Sequence, residues 1–569
     1  MTWPGALQPV ILIAVVAFLA WSVGSYLYRV FENQRTYLDP VLVPVERAVY
    51  RLCGVDPEAE MRWTTYVFAL LAVNVVGFLV LFGLLTLQPL LPLNPAHLPA
   101  IPFWTAWNTA VSFVTNTNWQ VYGGESTMSY LSQSWLMVQQ FLSPVTGICL
   151  FLAVARGFSR QNSRTLGNVW HDFVRSMLWV AVPFAVVGTI VLVALGSPQN
   201  LRAYTHLTTL QGGHQVIAQG PIAAMTAIMQ VGDNGGGFMN MNAAHPFEAP
   251  SAASLLFQLV LGFAIPAGLI YVFGKMIKDR RQSWAIFAAM AVMFVGGSLA
   301  LYHFEAAGNA MLPLHHVRLA AAGNMVGKET RFGVGTTSLF ENSTTAISWG
   351  SVAASNDSLT PLGGMVPLFN MLTGEVIFGS WGAGMIGMLA YVVLAIFLAG
   401  LMVGRTPEYL GKKIGAYEVK MAVLAMVVPS FVILILAAIS VVIRPGLAGI
   451  LNPGPHGLTE VLYAFASGVG NNGSAFGGLS AASPWYAATV GAAMLLGRFP
   501  MYIPLVAMAS VLAGKQRIPV SAGTFPTHGP LFVVLLVGTV LIVGALAFFP
   551  VLALGPLAEQ FAMQSGRLF

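Results

Sequence analysis

Uncharged apolar runs of about twenty residues recur near 6–28, 64–87, 134–155, 177–196, 252–273, 284–304, 380–403, 421–443, 485–510 and 530–556. A run of that length crosses a hydrocarbon core about 30 Å thick as one helix, so the pattern predicts ten spans. Arg498 interrupts the ninth. Between the spans lie four apolar segments too short to cross, each ending in small polar residues. They read "WNTAVSFVTNTNWQ" (107–120), "AAMTAIMQVGDNGGG" (223–237), "TTSLFENSTTAISWGS" (336–351) and "LTEVLYAFASGVGNNGS" (458–474). Short apolar segments of this kind are expected to be re-entrant or interfacial, here half-helices that stop. Aligning Asn118, Gly235, Gly350 and Gly473 separates them by 117, 115 and 123 residues, and such near-constant spacing predicts an internal repeat.

The predicted fold is therefore an all-α polytopic membrane protein with four pseudo-symmetric membrane–pore-loop–membrane repeats around a central pathway. A first span and loop occupy 1–63. The repeats are expected at 64–156, 174–276, 283–404 and 421–510, and a last span with the C-terminus at 529–569.

Composition agrees, with 56% hydrophobic residues, 8% charged and a mean hydropathy of +0.74. A soluble domain carries about 25% charged residues. The loops 29–63, 156–176, 274–283, 404–420 and 511–529 fall on one side and hold 19 of the 26 Lys and Arg. The positive-inside rule places that side in the cytoplasm and the four half-helices outside. The basic balance thus reflects topology, and no nucleic-acid partner is expected. No Lys or Arg precedes the first run, so it does not read as a cleaved signal. Cys53 and Cys149 imply no disulfide framework, and the pair His315–His316 reads as ordinary loop histidines.

Irregular backbone at membrane depth must be buried in protein or line a watery cavity. Four Gly/Asn/Ser/Thr-rich segments on one side suit a cation filter, in which backbone carbonyls replace a hydration shell. Helix C-termini add the negative ends of their dipoles. Glycine-rich turns also cradle phosphate through their amides, but carbonyls facing a cation fit four half-helices that stop at one depth. Close helix packing by small residues is the plain alternative for any single segment. Gly235 is expected to be the least replaceable residue of "GDNGGGFMN" (232–240), because filter backbones favour positive φ.

The motifs "TNTNWQ" (115–120), "NGGGF" (234–238), "HPFE" (245–248), "KETRFG" (328–333), "LGGMVP" (362–367), "GEVIFG" (374–379), "GRTPEYLGKKI" (404–414) and "NNGSAF" (471–476) run along almost the whole chain. In these the sequence resembles the KdpA-type potassium-binding subunit of the bacterial potassium-importing P-type ATPase. The resemblance implies a fold similar to the Trk/Ktr potassium transporters, a location in the bacterial inner membrane, and potassium as the transported ion. It also implies three partners: the P-type ATPase catalytic subunit, a single-span subunit with an external domain, and a small single-helix subunit.

Carried over by motif, the filter would comprise Asn116, Thr117 and Asn118, then Asp233, Asn234 and Gly235, then Ser348, Trp349 and Gly350, and finally Asn471, Asn472 and Gly473. Gln120 and Asn242 would support it. Two residues depart from the family pattern. Asp233, expected at the filter mouth, stands where an uncharged residue is usual, and Trp349 where a smaller one is. Glu375, Arg405 and Arg498 are candidates for coupling or for blocking the straight route inward.

The chain is not expected to bind nucleotide. The nearest approach to GxxxxGK[ST] is "GNMVGKET" (323–330), one residue short and with Glu in place of the hydroxyl. A DKTGT phosphorylation motif is absent. A free-standing potassium channel or symporter is the alternative. A lipid-modifying enzyme would need an acidic cluster or HExxH, which the sequence lacks.

Overall fold

A computed structural model describes residues 1–309, 323–519 and 525–567. Residues His315 and His316 lie outside them. Ten helices among the described residues are long and apolar enough to cross a membrane. In chain order they are α1 (Trp3–Phe31), α3 (Trp63–Thr86), α5 (Tyr130–Ser159), α6 (Val169–Ala194), α8 (Ala252–Met276), α9 (Arg280–Ala306), α12 (Ala383–Met402), α13 (Ala416–Ser440), α15 (Pro484–Gly514) and α16 (Pro530–Gln564). The predicted spans match them within a few residues at most ends, with α16 running eight residues further. An additional helix, α2 (Asp39–Cys53), and a hairpin of β1 (Thr205–Thr208) with β2 (His214–Ile217) lie in connecting segments.

Four half-helices fill the expected positions: α4 (Phe103–Val114), α7 (Ile222–Val231), α10 (Gly333–Ala346) and α14 (Gly454–Gly470). Each lies between two spans. Burial sorts the spans around them. In α5 and α8, 83% of the most apolar stretch is buried, against 22% in α3 and α13. The first pair therefore backs the centre, and the second pair presents its apolar side chains outward, as lipid requires. Backbones approach closely where α1 meets α8: a Cβ on Gly24 would lie 2.8 Å from Gly268 O, the small-residue contact common between membrane helices.

The seventh span, expected at 380–403, is found at Ala383–Met402, but what precedes it was not foreseen. Its helix begins at Ala383, and a separate helix, α11 (Pro361–Leu372), precedes it. The intervening loop is buried almost throughout and carries positive φ at Gly374, Glu375, Phe378, Ser380 and Gly382. An apolar run starting near 380 marked only the second half of this broken element.

Candidate functional site

Each half-helix ends in the same way. Asn116, Asp233, Ser348 and Asn471 take positive φ of 66°, 49°, 57° and 60°. The next residue's N–H then bonds back five positions, Thr117 to Ser112, Asn234 to Met229, Trp349 to Thr344 and Asn472 to Ser467, each at 2.9 Å. This is a Schellman-type stop. Asn and Asp tolerate the left-handed region better than other residues with a Cβ, so the sequence supplies suitable residues at three of these ends. Past the stop, positive φ returns two residues later at Asn118 (52°), Gly350 (75°) and Gly473 (107°).

The four strands after these stops meet. A Cβ placed on Gly235 would lie 3.0 Å from both Thr117 O and Asn472 O and 3.1 Å from Gly473 Cα. One on Gly350 would collide with Asn472 O, and one on Gly473 with Thr117 O. Carbonyl oxygens of the first and fourth strands are thus gathered against the other two.

Side chains tie the ring together. Asn118 Nδ2 donates to Asn234 Oδ1 at 2.6 Å, and Asn116 Nδ2 to Asp233 O at 3.1 Å. Asn471 Nδ2 reaches Thr117 Oγ1 at 3.0 Å, and Asn472 Nδ2 reaches Thr344 O at 2.9 Å. Between the second and third units, Ala244 N donates to Val352 O at 3.1 Å. Gln120 pairs with Gly237 through both amide atoms, donating to its O at 2.9 Å and accepting from its N at 3.2 Å. With its nitrogen turned toward the strand, the Asn242 amide donates to Gly235 O at 3.2 Å and accepts from Gly237 N at 3.0 Å.

Two supports escaped the sequence reading. Buried Glu248 accepts from Met239 N at 2.7 Å, and buried Glu341 from Ala353 N at 2.7 Å. Each pins the far end of a strand. The sequence signals were the motif "HPFE" (245–248) for Glu248 and an acid within the third half-helix for Glu341.

The strands separate two cavities. On the half-helix face is one of about 500 Å³, whose lining includes Gln120, Asn242, Gly235, Gly350 and Gly473. At the opposite ends of the strands is one of about 60 Å³, whose lining includes Ser348, Asn471, Glu375 and Tyr502. The loop between α11 and α12 passes along this narrow side. Ser380 Oγ lies 3.4 Å from Asn116 Nδ2, Trp381 Nε1 donates to Val231 O, and Glu375 Oε1 accepts from Asn472 Nδ2 at 2.5 Å.

Several expectations change. Asp233 is not at the mouth: it is the left-handed residue at the half-helix stop, fully buried, and lines neither cavity. Its carboxyl oxygens have no hydrogen-bond partner among the described residues. Trp349, the other departure from the family pattern, lines neither cavity, and its ring packs on Phe340, 4.9 Å between centroids, and on Gly262. Gly235 does not take positive φ, so the strongest demand for glycine shifts to Gly350 and Gly473.

Arg498 is buried in α15, donating to Ser143 O at 3.2 Å, beside Pro144 of α5, with its guanidinium 5.1 Å from the Tyr502 ring. Tyr502 separates it from the narrow cavity. Arg405 is exposed in the turn after α12 and does not enter the site. Lys328, the lysine of the P-loop near-match, is buried in an ion pair with Glu305 at 2.6 Å.

A family model described as "Potassium-transporting ATPase A subunit" matches residues 10–561. The chain belongs to the KdpA family. Its KdpA relatives include proteins from Brucella anthropi and Mesorhizobium japonicum, each 53% identical with both chains fully covered. Another, from Rhodospirillum centenum, is 51% identical over all of this chain and 99% of its own. All three are named potassium-transporting ATPase potassium-binding subunit. Among solved structures, the potassium transporter TrkH from Vibrio parahaemolyticus has a TM-score of 0.53 at 12% identity, covering 89% of this chain and 98% of its own. At that identity the likeness speaks for the fold. It agrees with the Trk/Ktr-like architecture expected of KdpA.

Proposed function

We propose that the four strands form a potassium filter, loaded from the wide cavity and emptied at the narrow one. The chain is the potassium-binding subunit of a potassium-transporting ATPase complex, a role its family sets against a free-standing channel or symporter. The observation that carries the filter reading is the fourfold half-helix stop, which brings Thr117 and Asn472 carbonyls against Gly235, Gly350 and Gly473. Carbonyl dipoles replace the hydration shell of a weakly hydrated cation such as K⁺. The negative helix ends beneath them favour the charge.

Beyond the filter, the buried loop 373–382 stands across the direct route, and Glu375 offers a carboxylate at the narrow cavity. A cation leaving there is turned sideways, toward a P-type ATPase partner that performs the hydrolysis. Arg498 holds α15 to α5 behind Tyr502 and keeps that turn closed. Arg405, exposed on the basic face, suits contact with a partner rather than with the ion. The single-span and small-helix subunits complete the assembly in the bacterial inner membrane, with the half-helices facing outward and the basic loops in the cytoplasm.

The test uses the purified complex and the purified single chain. The complex is expected to hydrolyse ATP in a K⁺-stimulated manner, and the single chain to hydrolyse none. Turnover by the single chain, or hydrolysis by the complex indifferent to K⁺, refutes the reading.

A further inference from the structure

Away from the filter, one polar cluster joins three distant parts of the chain. His456 and Glu460 stand one turn apart on α14, Asp357 lies in the loop before α11, and Glu559 lies in the last turns of α16. His456 Nε2 is 3.2 Å from Asp357 Oδ1 and 3.7 Å from Glu460 Oε1. One ligand atom from each of these three residues falls within 4.8 Å of the others. Ligand atoms on a tetrahedral zinc, about 2.0–2.1 Å from the metal, sit about 3.4 Å apart. The two His456 separations, 3.2 and 3.7 Å, bracket that value.

The fourth carboxylate takes the other ring nitrogen. His456 Nδ1 lies 2.8 Å from Glu559 Oε1. A carboxylate in that position favours the tautomer protonated on Nδ1, the usual arrangement behind a metal-bound histidine, while Nε2, hydrogen-bonded to Asp357 Oδ1 at 3.2 Å, would exchange that contact for the metal. Glu460 is the independent observation. Its side chain is fully buried, Oε1 already accepts from Asn452 Nδ2 at 2.5 Å, and Oε2 has no partner among the described residues. A buried carboxyl oxygen without a partner is costly, and a cation held by both oxygens of this carboxylate, Oε1 toward His456 and Oε2 beside it, removes that cost. Three carboxylates around one imidazole also leave an excess of two negative charges even if the ring is protonated, which a divalent ion balances. Asp357, His456 and Glu559 keep about a fifth of their side-chain surface exposed, so an ion has access from solvent.

We propose that Asp357, His456 and Glu460 bind a divalent transition-metal ion of the Zn²⁺ class, with Glu559 positioning the imidazole. One nitrogen and two carboxylate oxygens suit such ions and leave a coordination position for water. The site is structural: it clamps the fourth half-helix to the segment following the third filter strand and to the C-terminal helix.

The experiment uses the whole complex, stripped with chelator and titrated with Zn²⁺ by calorimetry, then with Co²⁺ read by its visible absorption. The parent is expected to bind one equivalent more than complexes carrying His456→Gln or Glu460→Gln. Glu559→Gln is expected to keep the site but weaken it about 10–100-fold. Where His456→Gln fails to assemble, Glu460→Gln, which keeps the side-chain shape, decides alone. Equal stoichiometry and affinity in parent and Glu460→Gln overturn the proposal, as does a Co²⁺ spectrum unchanged by that substitution.

Discussion

At Gly473 two demands coincide: a φ of 107° and a neighbouring carbonyl, Thr117 O, that leaves no room for a Cβ. A side chain in the left-handed region costs of order 1–2 kcal/mol, and about 1.4 kcal/mol of lost binding is a tenfold loss of affinity. Gly473→Ala is therefore expected to raise the K⁺ needed for half-maximal ATPase activity at least tenfold in an assembled complex. Gly235→Ala, with ordinary φ and contacts at 3.0 Å, should cost less. Gly538, with nothing within 4 Å, is the packing control; Gly262 would not serve, since it seats Trp349. If Gly473→Ala and Gly538→Ala share one K⁺ response, the strands are not the filter. Asp233 makes a second case. Its carboxyl is buried without a partner, and burial favours the neutral acid. Asp233→Asn, which keeps the shape and removes little charge, is therefore expected to leave K⁺ activation within a few-fold at both low and high ionic strength, and a large loss that salt abolishes would return Asp233 to the surface as a carboxylate. That the half-helices stop at these positions was legible in the sequence, from Gly, Asn and Asp where an apolar run ends. Which of them is left-handed was not, because that depends on which strand each one faces.

Helices were the most legible elements, since lipid tolerates few alternatives to a continuous apolar helix and a half-helix shows as a run that stops early. The break between α11 and α12 escaped for the same reason: α11 is twelve residues long and interrupted by Pro367, and its apolar character resembles any loop-borne segment. Only the packed structure shows the connecting loop beneath the strands. Arg498 belongs to this scale, because it acts on how α15 meets α5. Pro144 interrupts α5 beside Ser143, whose carbonyl the guanidinium takes at 3.2 Å. Among the described residues no carboxylate lies within ion-pair distance of Arg498. Arg498→Gln is thus expected to leave K⁺ affinity within a few-fold, since the filter is untouched, yet to lower K⁺ moved per ATP or open a leak. Proteoliposome flux measured beside hydrolysis separates these outcomes. A collapse of affinity with intact coupling would assign Arg498 to the filter instead.

Across the whole molecule charge is rare, and the ion pair of Lys328 with Glu305 has a traceable purpose. Lys328 and Glu305 have fully buried side chains, and the remaining Glu305 contacts hold three segments together. Glu305 Oε1 accepts from Thr360 N and Oγ1, both at 2.7 Å, and Oε2 accepts from Asn324 Nδ2 at 2.9 Å besides the lysine. The pair thus joins the end of α9, the segment before α10 and the start of α11, so it sets where the broken seventh span begins. In sequence Lys328 looked like a fragment of a phosphate loop; its partner lies 23 residues away, and nothing in local spacing announced it. Removing one member of a buried pair strands the other, at about 3–5 kcal/mol, whereas replacing both with apolar groups is often close to neutral. Lys328→Met is accordingly expected to lower the melting temperature of the detergent-solubilised complex clearly, and Lys328→Met with Glu305→Leu to recover only part of the loss, because the Thr360 and Asn324 bonds go with the carboxylate. A nucleotide-binding lysine would behave otherwise: Lys328→Met would spare the melting temperature and weaken retention of a nucleotide analogue by the single chain.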